Sequence, residues 1–157
     1  MENKTGGKVK LPPLGQVGVV VKDLNKAMEY YSAVFGMGPW KIVESDFPAV
    51  QVRDKTVPWK LRVALTQLGP VELELMQILA GRSIHSEFLD QGREGLHHLG
   101  FFVSSVEEKE LLTEELSKRG VGIIQSGITP LRRVSFAYLD SEKIGGVIFE
   151  LLHRPPQ

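Results

Sequence analysis

The 157-residue sequence contains no cysteine. That one absence removes disulfides, thiolate metal ligands and cysteine nucleophiles together, and it fits a reducing compartment. Any metal held by this chain must use nitrogen and oxygen donors. An excess of either charge is missing too, since nineteen Lys plus Arg face nineteen Asp plus Glu, a formal net charge of zero. Without a global field, neither nucleic acid nor an anionic membrane is an expected partner. No apolar run approaches the roughly 20 residues that span a bilayer. The amino end, MENKTGGKVK, has charges and glycines but no apolar core of the signal-peptide kind. The expected setting is soluble and cytoplasmic. GxGxxG, P-loop and nucleophile-elbow patterns are absent as well.

What is present suffices for one compact domain, because 42% hydrophobic residues in a chain of this length can bury a real core. Residues 1–13 read as a flexible tail and 14–157 as the domain. From Gln16, QVGVVV predicts a strand. Asp23 then caps a helix carrying Leu24, Ala27, Met28, Tyr31, Val34 and Phe35 at helical spacing, which stops at Gly36. A second strand is expected from Trp40 to Val43, a loop from Ser45 to Pro58, and a third strand through Leu61, Val63 and Leu65. After the Gly69-Pro70 turn, VELELMQ alternates, with Val71, Leu73 and Leu75 on one face and Glu72, Glu74 and Met76 on the other.

A short bridging helix is predicted over Ser83 to Asp90, burying Ile84, Phe88 and Leu89. The pattern then restarts. HLGFFV matches QVGVVV, Ser105 with Glu108 forms a capping box, and a helix with Leu111, Leu112 and Leu116 runs to Gly120. Strands follow at Ile123-Ile124, Val134 to Leu139 and Val147 to Leu152. The order strand, helix, three strands is thus run twice, over 14–80 and 95–154, with 81–94 as the bridge.

Aligning the two units pairs Gln16-Val17-Gly18 with His98-Leu99-Gly100, and GPVELEL from Gly69 with GGVIFEL from Gly145. Four polar residues then stand at matched places, Gln16 with His98 and Glu74 with Glu150. Joined sheets would aim all four into one cavity. Singly each has a bland explanation, a solvated strand residue or a hydrogen-bonded imidazole. Glu150 is the least bland, because a carboxylate inside VIFELL needs a cation or several donors. His97, Glu72 and His153 read as structural or solvent-facing. Arg132-Arg133 and the lysines at 41, 55 and 60 could meet phosphates, although solvated surface is the commoner role. Trp40, Trp59 and Phe47 could line a pocket or simply pack.

Two stretches, QVGVVVKDLNKAMEYYSAVFGMGPW and EFLDQGREGLHHLGFFV together with GGVIFELL, resemble the vicinal oxygen chelate superfamily, and the second resembles methylmalonyl-CoA epimerases. The resemblance implies an α+β fold of two tandem βαβββ modules forming a cupped, half-open mixed sheet around one divalent metal. Gln16, Glu74, His98 and Glu150 would be the ligands, and the ion one of Co, Ni, Mn, Mg or Zn. It further implies proton abstraction next to a carbonyl in a small carbonyl or thioester substrate, by a homodimeric enzyme. Glu150 is the expected base and Glu74 the residue on the opposite face. Gln16 stands where many members carry His, and the resulting Gln, Glu, His, Glu set is similar to that of one branch of glyoxalase I, the lactoylglutathione lyase. The same cup in bleomycin-resistance proteins sequesters a ligand without metal, a use to which two inward carboxylates are poorly suited. An extradiol dioxygenase would need two histidines and one carboxylate.

One imidazole and three oxygen donors suit a borderline-to-hard divalent ion, and four ligands in an octahedron leave two neighbouring positions for a bidentate substrate.

Overall fold

The computed structural model describes residues 7–157. Eight strands and three helices follow one another as β1 Leu14–Val20, α1 Leu24–Phe35, β2 Lys41–Val52, β3 Lys55–Leu68, β4 Val71–Ala80, α2 Ile84–Asp90, β5 Gly95–Phe102, α3 Val106–Ser117, β6 Ile123–Ile128, β7 Ser135–Leu139 and β8 Ile148–His153. This is the expected α+β order, strand, helix, three strands, twice over. Of the expected tail, residues 1–6 lie outside the described residues. Residues 7–13 carry no helix or strand, although Leu11 packs against the cluster of Val103, Leu139 and Leu151.

Local signals act where they were read. Asp23 accepts a hydrogen bond from the Lys26 backbone N–H, and Gly36 ends α1 at φ 66°, a left-handed conformation that a β-carbon disfavours. Ser105 accepts from the Glu108 N–H, while the Glu108 carboxylate turns one residue further back, to Ser104. The expected loop over Ser45 to Pro58 is instead the middle of a long hairpin between β2 and β3. Its prolines are accommodated by position. Pro48 falls in a register shift between Phe47 and Val50, and Pro58 lies beyond Lys60, where the pairing of β3 with β4 begins. In α2 the fully buried residues are Ile84, His85 and Phe88, and Leu89 is only half-buried.

The strands close in the order β1-β4-β3-β2-β6-β7-β8-β5. Each module pairs its first and last strands in parallel, β1 with β4 and β5 with β8. The modules join through antiparallel β1 and β5, so that Gln16 faces Gly100 and Gly18 faces His98. That crosswise register is the signature of a twofold relation between the repeats. Across the barrel the seam is slight: β2 meets β6 only at Gln51–Ser126 and Val52–Gln125. Lys41 to Phe47 therefore pair on one side only, which leaves the cup open there.

Helix α2 packs Ile84 and Phe88 into the interior cluster, whereas α1 covers the outside. Leu24 of α1 packs with Leu73 and Leu75 of β4, so the apolar face of β4 points outward under the helix and its Glu72, Glu74, Met76 face lines the barrel. The strict alternation of VELELM thus places two acids inside the molecule, within an interior built by Phe47, Trp59, Val63, Phe136 and Leu152.

Candidate functional site

The four matched residues meet in the barrel interior. His98 is fully buried, and its Nε2 lies 3.4 Å from Glu74 Oε2 and 3.3 Å from Glu150 Oε2. Gln16 and Glu150 are buried, and Glu74 is slightly more open, its side chain 14% exposed against 5% for Glu150. Two glycines make room. A β-carbon at Gly18 would stand 1.9 Å from the His98 ring, and one at Gly100 would stand 3.0 Å from Gln16 Cβ. The crosswise pairing of β1 with β5 therefore puts a glycine opposite each matched polar residue.

The donor atoms left over are informative. Gln16 Oε1, His98 Nε2 and Glu150 Oε2 are buried without a hydrogen-bond partner. An uncompensated buried polar atom is costly, and a cation is one way to compensate such atoms. The donor set, one imidazole nitrogen with amide and carboxylate oxygens, fits a divalent ion.

Neighbours hold these atoms in place. Gln16 Nε2 donates to Glu72 Oε1 at 2.8 Å, and Arg154 donates to both Glu72 oxygens at 2.9 and 3.2 Å. A carboxylate only accepts, so the amide must turn its NH2 toward Glu72 and its oxygen toward the site. Glu72 is thus part of the framework of the site rather than a solvent-facing residue. Burial pushes its pKa up, but hydrogen bonds from Arg154 and Gln16 outweigh this and hold it below the ordinary carboxylate value. His97, also buried, has its Nδ1 3.0 Å from His98 Nδ1. When that bond is made, His98 Nε2 is directed at the two carboxylates.

Electrostatically the site is strained in a useful way. Burial, then the nearby Glu74 charge, push the Glu150 carboxyl up to about 7, against the opposing pull of His98 and a hydrogen bond donated by Tyr138. Burial would depress His98, but the adjacent Glu74 and Glu150 more than compensate, and its pKa is raised. Behind it, burial drives His97 down to about 3 and His85 well below its ordinary value, so both remain neutral. Ring nitrogens of His85, His97 and His98 lie within 4.8 Å of one another. The His85 and His97 rings, however, stack at 4.5 Å and 26°, which leaves their in-plane lone pairs nearly parallel instead of convergent. The quartet adds carboxylate oxygens to one imidazole nitrogen, a donor set that also suits a divalent ion.

Gln16, Glu74 and Glu150 open onto a cavity of about 80 Å³, with His98 buried behind them. Gln16, Glu74, Glu150 and Tyr138 line it together with apolar side chains, and Arg132 and Arg154 also belong to its lining. Of the other basic candidates, Lys41 borders a neighbouring groove, Lys60 is paired with Glu44 at 3.1 Å, and Arg133 and Lys55 are exposed. Trp59 and Phe47 line the cavity. Trp40 does not, and its Nε1 donates to Ser32 Oγ.

Sequence reasoning missed Tyr138, Glu72, Arg154 and His85. Tyr138 carried a signal, being the only hydroxyl-bearing aromatic within an otherwise apolar strand, directly opposite Glu150.

Comparison with known proteins agrees with this architecture. The model of the Glyoxalase/Bleomycin resistance protein/Dioxygenase superfamily matches residues 15–138. The uncharacterized protein YqjC of Bacillus subtilis (strain 168) is 26% identical over 142 residues, which cover 88% of this chain and 89% of that one. Among solved structures, a methylmalonyl-CoA epimerase from Mycobacterium tuberculosis is similar with a TM-score of 0.67 at 22% identity, covering 98% of this chain and 95% of its own. A hypothetical protein from Bacillus halodurans C-125 gives 0.66 at 22% identity, over 92% and 96%. At such identities these structures speak to the fold.

Proposed function

The chain belongs to the glyoxalase/bleomycin resistance protein/dioxygenase superfamily, and within it we propose a metal-dependent isomerase or epimerase that removes a proton next to a carbonyl, in the manner of methylmalonyl-CoA epimerase. The observation that carries this reading is the meeting of two carboxylates at His98 Nε2 in the barrel interior, with the buried Gln16 Oε1 left without a hydrogen-bond partner. Gln16, Glu74, His98 and Glu150 would hold one divalent ion, of the Co, Ni, Mn, Mg or Zn kind. When bound, such an ion supplies the positive charge that stabilises a developing enolate oxygen.

Glu150 is the proton-transfer residue. Burial raises its carboxyl to about 7 in the metal-free protein, and a bound ion would lower it again. Tyr138 stands opposite Glu150 in the pairing of β7 with β8, placed to steady it. Glu74 stands on the other side of the His98 nitrogen and returns the proton to the opposite face of the substrate. The apolar wall keeps bulk water from the reacting centre. Arg132 in the cavity lining and Lys41 in the neighbouring groove offer positive charge to a thioester carrier's phosphates. A homodimer fits the exposed apolar side chains of α1, where Tyr30, Val34 and Phe35 are each more than half exposed.

The test is incubation of the metal-reconstituted protein with methylmalonyl-CoA in deuterated water. Deuterium at the α-carbon is the expected result. No exchange there, with turnover of a glutathione hemithioacetal instead, would assign the chain to the glyoxalase I reading that its Gln, Glu, His, Glu set also favours. A protein that exchanges neither refutes both.

A further inference from the structure

The cavity wall facing away from the quartet is apolar to a degree that proton transfer alone does not require. Phe47, Trp59, Leu61, Val63, Met76 and Phe136 form it, and all six are buried. Three of them make a continuous aromatic surface: ring centroids lie 5.2 Å apart for Phe47 and Trp59, 5.9 Å for Phe47 and Phe136, and 6.4 Å for Trp59 and Phe136. These rings come from β2, β3 and β7, strands of both modules, so the barrel itself fixes their arrangement. A wall shaped only for packing would close on itself at the density of a protein interior. Here unfilled space remains in front of it.

The charges bound the ligand further. Outside the quartet the only charged side chains lining the cavity are Arg132 and Arg154, and Arg154 is held by Glu72. An acidic substituent laid against the aromatic wall would lose its hydration with no cation to replace it. An apolar one would gain from burial.

We infer that the substrate carries a large apolar group, aromatic or branched aliphatic, beside the oxygens that meet the quartet, and that Phe47, Trp59 and Phe136 are specificity-determining residues for it. The inference rests on the reading of the quartet as the reacting centre. A methyl substituent, as in a methylmalonyl group, would leave most of this wall uncovered. Replacing it with a ring that fills the space should raise affinity by a factor of about 10 to 100.

Methylmalonate and benzylmalonate make a matched pair for the test, with the same two carboxylates and α-carbon but methyl against benzyl. Isothermal titration calorimetry on the full-length protein reconstituted with Co²⁺ should show benzylmalonate binding about tenfold tighter or more. Ser45 is a half-buried residue of the cavity lining. Ser45→Phe should erase the preference by filling the space the benzyl group would take. Val63→Phe, checked for folding by its thermal melt, should likewise remove the benzyl preference from within the wall. Equal affinities, tighter methylmalonate, or no benzylmalonate binding would overturn the inference. The two readings fail separately. Benzyl preference without α-hydrogen exchange on a benzylmalonyl thioester sinks the epimerase reading alone, whereas exchange on methylmalonyl-CoA without benzyl preference sinks the wall's role alone.

Discussion

Gly18→Ala is a one-carbon change with a large expected effect. The new β-carbon would stand 1.9, 2.1 and 2.4 Å from three atoms of the His98 ring, whereas ordinary contact begins at 3.4 Å, an overlap of 3.4 − 1.9 = 1.5 Å at the closest point. The ring has little room to retreat, because it is fully buried with His97 bonded to its far nitrogen and Tyr138 packed at 5.1 Å. Overpacking of this kind costs about 1–3 kcal/mol of stability. Displacing a ligand from its set position costs about 10- to 100-fold in metal affinity, as loss of an orienting partner does. Gly100→Ala is the matched control across the repeat, since its β-carbon meets nothing closer than 3.0 Å and should do much less. Calorimetric titration with Co²⁺ and a thermal melt on each variant give both quantities. A Gly18→Ala protein that binds metal within about threefold of the parent would refute the placement of His98 in the site.

Glu72→Ala frees the Gln16 amide to rotate and leaves the Arg154 guanidinium without its carboxylate, so metal affinity should fall by about 10- to 100-fold while Glu72→Gln loses less; unchanged affinity in Glu72→Ala would contradict the orienting role. His97→Ala should weaken metal binding less than His98→Ala, which should abolish it; the reverse order would show that the register of β5 is misread by one residue. The metal-free protein should lose stability in acid. His97 takes its proton near 6.5 when unfolded but only at about 3 when folded, so stability is intact above pH 6.5 and declines below it, by about 1.4 kcal/mol per pH unit for this one group. His85 acts in the same direction, whereas Glu150, raised to about 7 and so stabilising as pH falls from 7 toward 4.5, and the raised His98 oppose them. Urea unfolding at pH 5 and pH 7.5 measures the balance, and a decline that is just as steep in His97→Gln would remove His97 as a cause.

How much of this could be read in advance depended on the range of the interaction. Asp23 and Gly36 bound α1 through contacts with their own neighbours, and the repeat aligned Gln16 with His98 and Glu74 with Glu150 because both modules fold by the same local rules. The alternation of VELELM was plain, yet which face turned inward was not, since α1 covers the apolar side and leaves the acids to the barrel. The β2–β3 hairpin was hidden by Pro48 and Pro58, whose tolerance depends on a register shift and on where β4 ends. Glu72 could not be recognised as an orienting residue, because its partners Gln16 and Arg154 lie 56 and 82 positions away. His85 and Tyr138 entered the same way, through packing between α2, β5 and β7 that no local pattern encodes.

Whether Glu150 both faces the ion and moves the proton is tested most directly by Glu150→Gln. The amide keeps an oxygen donor of similar size in the buried pocket beside Tyr138 but removes the base. Metal content and solvent-deuterium exchange at the α-carbon are measured together on Glu150→Gln and Glu74→Gln. Metal should largely persist in Glu150→Gln while exchange falls by a factor on the order of 10² or more, with a smaller loss in Glu74→Gln. Near-normal exchange in a metal-loaded Glu150→Gln protein would contradict Glu150 as the base.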